Sequence, residues 1–291
     1  MYETILVPTD GSDETERAIR HGLGLAAYFN ATVQVLYVVD TRLVELFTDG
    51  PRRDVLSEST REGHSVTEAV VERAEEVGVD AAAEVREGVP PDVVVEYAAE
   101  TGADLVAMGT HRRTVTTGAA LGSTAERVVE RATCPVLTVR QADAVDEKTS
   151  GINQFDEVLV PVDGSDAASR AADHAVELAG EYGADVHFLY VVDTSTYGFE
   201  DAPRSVVGPL TEAGRELVSA LADDVEGHSI PATAEVRRGV AHEEILDYAD
   251  EVDADLLVMG TRGRTSSEGT FLGSTTDQVL RQSEQPVLTL R

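Results

Sequence analysis

Short apolar runs alternate with helical patterns along the chain. In the first half five apolar runs are candidate strands, at residues 5–7, 33–39, 82–85, 105–108 and 136–139. Their nearly continuous apolar character predicts parallel strands buried on both faces. Apolar residues between them recur at helical spacing, as at Ala18, Gly22, Leu25 and Ala26. Strands and helices alternating in this way predict right-handed crossovers and a doubly wound, five-stranded parallel sheet.

Helix boundaries can also be predicted from the sequence. A helical pattern over residues 66–77 is followed by Gly78, which is typical of a helix C-terminus. Pro90 and Pro91 are expected to open a third helix, and Ser123 to cap a fourth.

The whole alternation occurs twice, which indicates two tandem copies of one domain. ILVPTDGSD at 5–13 returns as VLVPVDGSD at 158–166, and ADLVAMGTH at 103–111 returns as ADLLVMGTR at 254–262. The offset is 153 residues early in the copy and 151 later, so a variable loop is predicted between Asp40 and Arg86. The predicted domains are residues 1–140 and 156–291, joined by a polar, aperiodic linker at 141–155.

Charge sets limits on the partners. The chain has 54 acidic and 23 basic residues, a net charge of -31 and one lysine, and 27 of the acids lie in residues 1–150. Acid spread so evenly is typical of adaptation to a salt-rich cytoplasm, as in halophilic archaea; an acidic face for a basic partner is the alternative. A field of this sign repels nucleic acid and anionic membranes, so neither is expected as a partner.

The expected compartment is the cytoplasm. The N-terminus lacks a basic segment typical of a leader, and no apolar run approaches the ~20 residues of a membrane span. Cys134 is the single cysteine, so an internal disulfide is impossible, which fits a reducing compartment.

The segment most informative about chemistry is MGTRGRTSSEGTFLGST, residues 259–275. It begins at the end of the fourth predicted strand and ends where a helix begins. Glycines there permit positive φ and close approach of main-chain N–H groups to an anion, and the helix N-terminus supplies unpaired donors. In a doubly wound sheet this is the edge where ligands bind.

The spacing G-x2-G-x9-G-[ST], with the ILVPTDGSD opening, resembles the ATP-binding signature of the universal stress protein family, over nearly the whole chain outside the linker. The resemblance implies Rossmann-like domains akin to the adenine nucleotide alpha hydrolases. It implies that Asp163 lies near the ribose or adenine and that the main chain of Val191 contacts adenine. The full implied set in the second copy is Pro161, Asp163, Val191, Met259, Gly260, Gly263, Gly273, Ser274 and Thr275.

The first copy departs from this pattern at one position. The matching residues are Pro8, Asp10, Val38, Met108, Gly109, Gly122, Ser123 and Thr124, but Arg112 stands where the motif has its second glycine. A non-glycine residue at positive φ costs about 1–2 kcal/mol, although a guanidinium there would also suit a phosphate. The sequence leaves open whether the first copy binds nucleotide.

Simpler interpretations stand beside these. Asp10 and Asp163 precede Gly-Ser, so each is also a candidate for turn formation or for capping the first helix. Arg262 and Arg264 are candidates equally for phosphate contact and for ordinary solvation. His111, His174, His187 and His242 fall at unrelated places in the two copies, which argues against a catalytic histidine, and no cluster has metal-ligand spacing.

The leading hypothesis is a regulatory, stress-response protein that binds ATP, with AMP or ADP as alternative ligands and Mg²⁺ as a companion ion. A slow ATP hydrolase or phosphotransfer enzyme is the rival, opposed by the absence of a lysine from either loop and of a GK[ST] motif. A first copy that only mediates interactions, without nucleotide, is the third reading. The family resemblance also implies an intramolecular pseudo-dimer through the fifth strands, with further oligomerisation open.

Overall fold

The structure is a computed structural model that describes residues 1–44, 49–110, 121–140, 155–194, 204–263 and 272–291. The chain divides into two compact units, Met1–Asn153 and Gln154–Arg291. Within the described ranges, no helix is both long enough and apolar enough to cross a membrane.

The first unit follows the predicted alternation. Its strands are β1 (Thr4–Thr9), β2 (Thr32–Asp40), β3 (Ala81–Gly88), β4 (Leu105–Gly109) and β5 (Val136–Val139). Its helices are α1 (Asp13–Phe29), α2 (Thr41–Val44), α3 (Asp49–Glu76), α4 (Pro90–Thr101) and α5 (Ser123–Arg131). Each predicted strand is confirmed, with ends that differ from the prediction by at most three residues.

The second unit repeats these elements. Its strands are β6 (Glu157–Pro161), β7 (Asp185–Asp193), β8 (Ala232–Gly239), β9 (Leu256–Gly260) and β10 (Val287–Leu290). Its helices are α6 (Asp166–Tyr182), α7 (Arg204–Glu226), α8 (Ala241–Glu251) and α9 (Ser274–Gln282).

Both units contain a doubly wound parallel sheet, as predicted. The strand order is β3-β2-β1-β4-β5 in the first unit and β8-β7-β6-β9-β10 in the second. In the first unit α1 and α3 lie on one face, tied by the Arg73–Glu16 ion pair, and α4 and α5 lie on the other. The strands that follow β1 are added on one side of it up to β3, and β4 and β5 are added on its other side. The strand order therefore reverses between β1 and β4, and in the second unit between β6 and β9.

The core lies where the central strands are covered on both faces. Ile5, Leu6, Leu36 and Leu105 are fully buried between the helical layers. The prediction of strands buried on both faces is wrong for β3, whose pattern of intermediate and exposed side chains is repeated in β8. Both are outer strands of their own sheet, and their polar residues face solvent on one side.

The predicted variable loop is largely helical. Between β2 and β3 the described chain forms α2 and α3, whereas between β7 and β8 it forms α7. The two-residue difference in length falls in this region, as predicted. Helix α3 has a polar, weakly amphipathic sequence, and tertiary contacts with β2 and β3 stabilise it beyond what its periodicity indicates.

Of the three helix boundaries predicted, two are confirmed and one is wrong. Pro90 opens α4 as predicted, and Gly78 follows α3 with φ +75°. Ser123 does not cap α5: the N-cap is Gly122, and Ser123 is the first helical residue. Both serine and glycine are common at this boundary, so the sequence did not distinguish the two registers.

Candidate functional site

A crevice opens at the carboxyl ends of β1 and β4. These strands pair only at Ile5–Leu105 and Leu6–Val106, although each continues for three residues beyond. In the second unit β6 and β9 likewise pair only at Val158–Leu256 and Leu159–Leu257. Because neighbouring connections leave on opposite faces here, the strand ends separate, and this is where doubly wound sheets bind ligands.

A cavity of about 300 Å³ occupies this crevice in the first unit. Its volume is at the lower end of the range of about 300–1,000 Å³ for small-molecule sites. The structure brings together in its lining all eight described residues of the predicted first-copy set, Pro8, Asp10, Val38, Met108, Gly109, Gly122, Ser123 and Thr124. Arg112, the remaining predicted residue, lies outside the described residues.

The two ends of the cavity differ in character. The end formed by β2 and α4 is lined by apolar residues that include Leu36, Val38, Pro90 and Val94. The opposite end is lined by Gly122 and the first turn of α5. One end suits a flat apolar group such as a nucleobase, and the other suits an anion.

The start of α5 presents main-chain donors to the cavity. The Gly122 N–H donates to the Thr110 carbonyl oxygen at 2.6 Å, which fixes the entry of the helix. The next N–H groups, of Ser123, Thr124 and Ala125, have no acceptor within the helix because they belong to its first turn. These donors, with the positive end of the helix dipole, favour a negatively charged group. In the second unit Gly273 N–H donates to Thr261 O at 2.8 Å in the same way.

The two aspartates have the structural role that was weighed against ligand binding. Asp10 Oδ1 accepts from the Ser12 N–H at 3.1 Å, and Asp163 Oδ1 accepts from the Ser165 N–H at 2.9 Å. Each therefore forms a turn that leads into the first helix of its copy. Asp10 also lines the cavity, so the turn orients its carboxylate at the site.

The second-copy residues also gather at the end of their sheet. Met259 and Gly260 end β9, Gly273 caps α9, and Ser274 and Thr275 begin that helix. A methyl group placed on Gly263 would lie 2.7 Å from Asp163 Oδ2, so these two residues are in contact range. Pro161 ends β6, and Val191 lies near the end of β7, paired in register with Arg237.

The arginines of the second loop are only partly described. The main-chain oxygen of Arg262 accepts a bond from Ser165 Oγ at 3.3 Å, which joins the β9 loop to the turn after β6. Arg264 lies outside the described residues.

The glycines act differently from the prediction. Gly260, Gly263 and Gly273 all lie in the described ranges, and none has a positive φ. Instead, a methyl group on Gly260 would lie 2.8 Å from the carbonyl carbon of Ala167, and one on Gly109 would lie 2.7 Å from the Glu14 oxygen. These two glycines let β9 and β4 approach the first turns of α6 and α1. The strain expected of Arg112 at positive φ is therefore not supported by its counterpart Gly263.

Sequence reasoning missed several residues of the cavity wall. Tyr37 lines the cavity, and burial, followed by Glu62 and Asp10, raises the pKa of its phenol, which stays a neutral donor. Asp40, whose side chain is 8% exposed, accepts two bonds from the Arg42 guanidinium, at 2.9 and 2.7 Å. This pairing neutralises a carboxylate beside the site. The signal was available in the LYVVD repeat, whose last residue is Asp40.

The sequence analysis was wrong to place His174 among the histidines without a counterpart in the other copy. His174 matches His21, since each is the ninth residue of α6 and α1 respectively. Burial lowers the pKa of both, to about 3 for His21, where Arg17 and Arg20 add to the effect. His21 is 4% exposed and does not line the first-unit cavity, so it belongs to the packing of α1. Comparing offsets for this residue would have found the match.

Comparison with known proteins gives the same two-part division. A model of the universal stress protein family matches residues 1–140 and 154–291. A universal stress protein of Methanocaldococcus jannaschii is 40% identical over 142 residues, which are 48% of this chain and 84% of the relative. One from Mycolicibacterium smegmatis is 27% identical over 99% of this chain and 96% of its own length. The crystal structure of a universal stress protein from Archaeoglobus fulgidus superposes with a TM-score of 0.76 at 23% identity, covering 99% of this chain and 96% of that one.

Proposed function

The chain belongs to the universal stress protein family, and from this premise we propose that it is a regulatory protein that binds ATP in the crevice of each unit. The observation that carries the proposal is the cavity of the first unit, whose lining contains every described residue of the predicted first-copy set. Residues so far apart in the sequence meet there because β1 and β4, which are distant in sequence, are neighbours in the sheet.

The shape of the cavity supports a nucleotide. The base would lie at the apolar end, against Val38 and Val94, and the ribose near Asp10. The phosphates would lie against the first turn of α5, where Ser123 and Thr124 supply both N–H and hydroxyl donors. A triphosphate uses more of these donors than a monophosphate, which favours ATP over AMP.

Binding is favoured over rapid catalysis. In P-loop NTPases and protein kinases a lysine contacts the reacting phosphates. Neither loop, at residues 109–124 and 260–275, contains a lysine. The role proposed is therefore a response to nucleotide levels, with Mg²⁺ accompanying the triphosphate.

The test uses one substitution in each unit, Thr124→Glu and Thr275→Glu. Both residues lie at the second position of a helix, α5 or α9, where an acidic side chain stabilises the helix by about 0.3–1 kcal/mol. The same carboxylate repels a phosphate at that N-terminus. Each variant should keep its melting temperature while ATP affinity at its own site falls at least about tenfold, which corresponds to about 1.4 kcal/mol.

Calorimetric titration with ATP, ADP and AMP in molar KCl measures this directly, and the parent should bind two equivalents. Each single variant should keep one tight site, and the double variant should keep none. Two results would contradict the proposal. One is a parent that gives no binding heat and carries no nucleotide by mass spectrometry; the other is a double variant that binds as tightly as the parent.

A further inference from the structure

Two buried threonine hydroxyls in the crevice of the first unit are replaced by apolar side chains in the second. Thr9 ends β1, Thr15 lies in the first turn of α1, and both residues are buried and line the cavity. Their Oγ1 atoms are 2.9 Å apart. The offset of 153 residues places Val162 and Ala168 at the same positions of the second unit, where both are buried as well. The fold therefore does not require a hydroxyl group at either position.

The hydrogen bonds around the two hydroxyls fix the direction of each. Thr15 Oγ1 donates its proton to the main-chain oxygen of Ser12 at 2.9 Å, so in its contact with Thr9 it can only accept. Thr9 therefore donates to Thr15, and Thr9 Oγ1 accepts from the Gly11 N–H at 3.1 Å. The result is a continuous chain of hydrogen bonds from Gly11 to Ser12 within the turn that joins β1 to α1.

This chain of bonds encloses Asp10, the residue whose carboxylate the turn orients at the cavity. The bond from the Gly11 N–H to Thr9 Oγ1 closes over Asp10, so it restricts the main chain on both sides of that residue. The hydroxyl and the N–H group of Ser12 both donate to Asp10 Oδ1, at 2.5 and 3.1 Å. Both bonds are made to Oδ1, so Oδ2 is the oxygen that the turn leaves to a ligand.

The second unit holds its matching turn in a different way. Gly164 has φ +77°, close to the +74° of its counterpart, but Val162 has no hydroxyl to accept from the Gly164 N–H. Instead, the Ser165 hydroxyl accepts from the Ala168 N–H at 3.2 Å and donates to the main-chain oxygen of Arg262 at 3.3 Å. This serine therefore caps α6 and ties the turn to the β9 loop, whereas the matching serine of the first unit donates to the aspartate.

We propose that the Thr9 hydroxyl positions Asp10 for nucleotide binding in the first unit, through the chain of bonds that runs to Thr15. The inference rests on the proposed nucleotide binding. Thr9 is a positioning residue, because its one proton is donated to Thr15 and its effect on the ligand passes through Asp10. In the second unit Ser165 has the equivalent role. The two copies then depend on different hydroxyl groups to hold the same aspartate turn.

The experiment measures ATP affinity at the first site by calorimetry, in the Thr275→Glu chain in molar KCl. Thr9→Val, which is close in shape and removes the hydroxyl, should weaken binding about three- to tenfold, the effect of one neutral hydrogen bond. Thr9→Ser keeps the hydroxyl and should bind within about twofold of the parent. Thr101→Val is the matched control and should leave the affinity unchanged, because Thr101 Oγ1 donates to the Tyr97 oxygen within α4, at 2.8 Å, and does not line the cavity.

A double-mutant cycle distinguishes positioning from a general effect on the turn. Asp10→Ala should weaken ATP binding more than Thr9→Val does, since it removes the ligand's acceptor itself. In the Asp10→Ala chain, the further change Thr9→Val should alter the affinity by less than about twofold, because no carboxylate remains to be positioned. A hydroxyl that acts independently of the carboxylate would instead weaken binding by the same factor in both chains.

The second site, measured in the Thr124→Glu chain, completes the test. There Thr9→Val should have no effect, and Ser165→Ala should weaken ATP binding about three- to tenfold. Failure of the parent chain to bind ATP at all would overturn the proposed function. If ATP binds but Thr9→Val and Thr9→Ser bind it equally well, or if Thr9→Val has the same effect with and without the Asp10 carboxylate, the inference is wrong and nucleotide binding stands.

Discussion

Replacing Gly260 by alanine should destabilise the second unit even without nucleotide. A methyl group at this position would lie 2.8 Å from the carbonyl carbon of Ala167, 2.9 Å from its Cβ and 3.0 Å from the nitrogen of Ala168. Two of these three atoms are main chain, so no side-chain rotation relieves the contact, and α6 must move away from β9.

The magnitude follows from two opposing contributions. Adding a methyl group to a closely packed region costs typically about 1–3 kcal/mol. Replacing glycine also restricts the unfolded chain, which returns about 0.4–1 kcal/mol. We therefore expect Gly260→Ala to lower the free energy of unfolding by about 1–2 kcal/mol.

Gly273→Ala is the matched control in the same loop. A methyl group there would find its nearest atom, Thr261 O, at 3.4 Å, an ordinary contact. Its backbone, at φ −71° and ψ 145°, suits any residue. The gain from restricting the unfolded chain is offset by the poorer helix capping of alanine, so the change should stay within about 0.5 kcal/mol.

Urea titration in molar KCl, followed by far-UV circular dichroism, gives both free energies. The expected order is a lower midpoint for Gly260→Ala and a nearly unchanged one for Gly273→Ala. Equal midpoints, or a larger loss for Gly273→Ala, would refute the packing argument and return these glycines to a role in ligand binding alone.

Two further predictions concern solution conditions. The pKa of His21 is about 3 in the fold, chiefly through burial, against about 6.5 unfolded. Between these two pKa values the unfolded chain binds a proton at His21 that the folded chain does not bind. The free energy of unfolding therefore falls as the pH falls, by ~2 kcal/mol at pH 5. In urea titrations at pH 7 and pH 5, His21→Leu should remove that part of the loss, whereas the exposed His228→Gln should not. An equal loss of unfolding free energy between the two pH values in the parent and both variants would disprove the role of His21. Separately, the net charge of -31 should make the melting temperature fall on transfer from molar to millimolar KCl; a melting temperature independent of salt would argue against surface adaptation.

The sheet could be predicted almost completely from the sequence, and the reason is local. Runs such as LVAMG in β4 are both apolar and bounded by turn residues, so the apolar run and its boundaries predict the same strand. Helix α3 could not be predicted over its full length because its polar sequence is helical through contacts with β2 and β3. The repeat itself supplied the domain organisation, because two copies of one pattern leave few alternative boundaries.

The gathering of the predicted first-copy residues around one cavity could be predicted from the motif, but their contacts could not. Asp10 and the α5 residues Ser123 and Thr124 were identified from the motif and lie around one cavity. The packing role of Gly109 depends on the distance to α1, which no spacing along the chain reveals.

The close approach of Gly109 and Gly260 to the first helices has a consequence for evolution after duplication. A glycine required by the fold remains under selection for folding even in a copy that has lost its ligand. The first glycine of the motif would therefore persist in both copies regardless of binding. Divergence in ligand use should accumulate instead at crevice positions that the packing of the strands against the first helices does not fix.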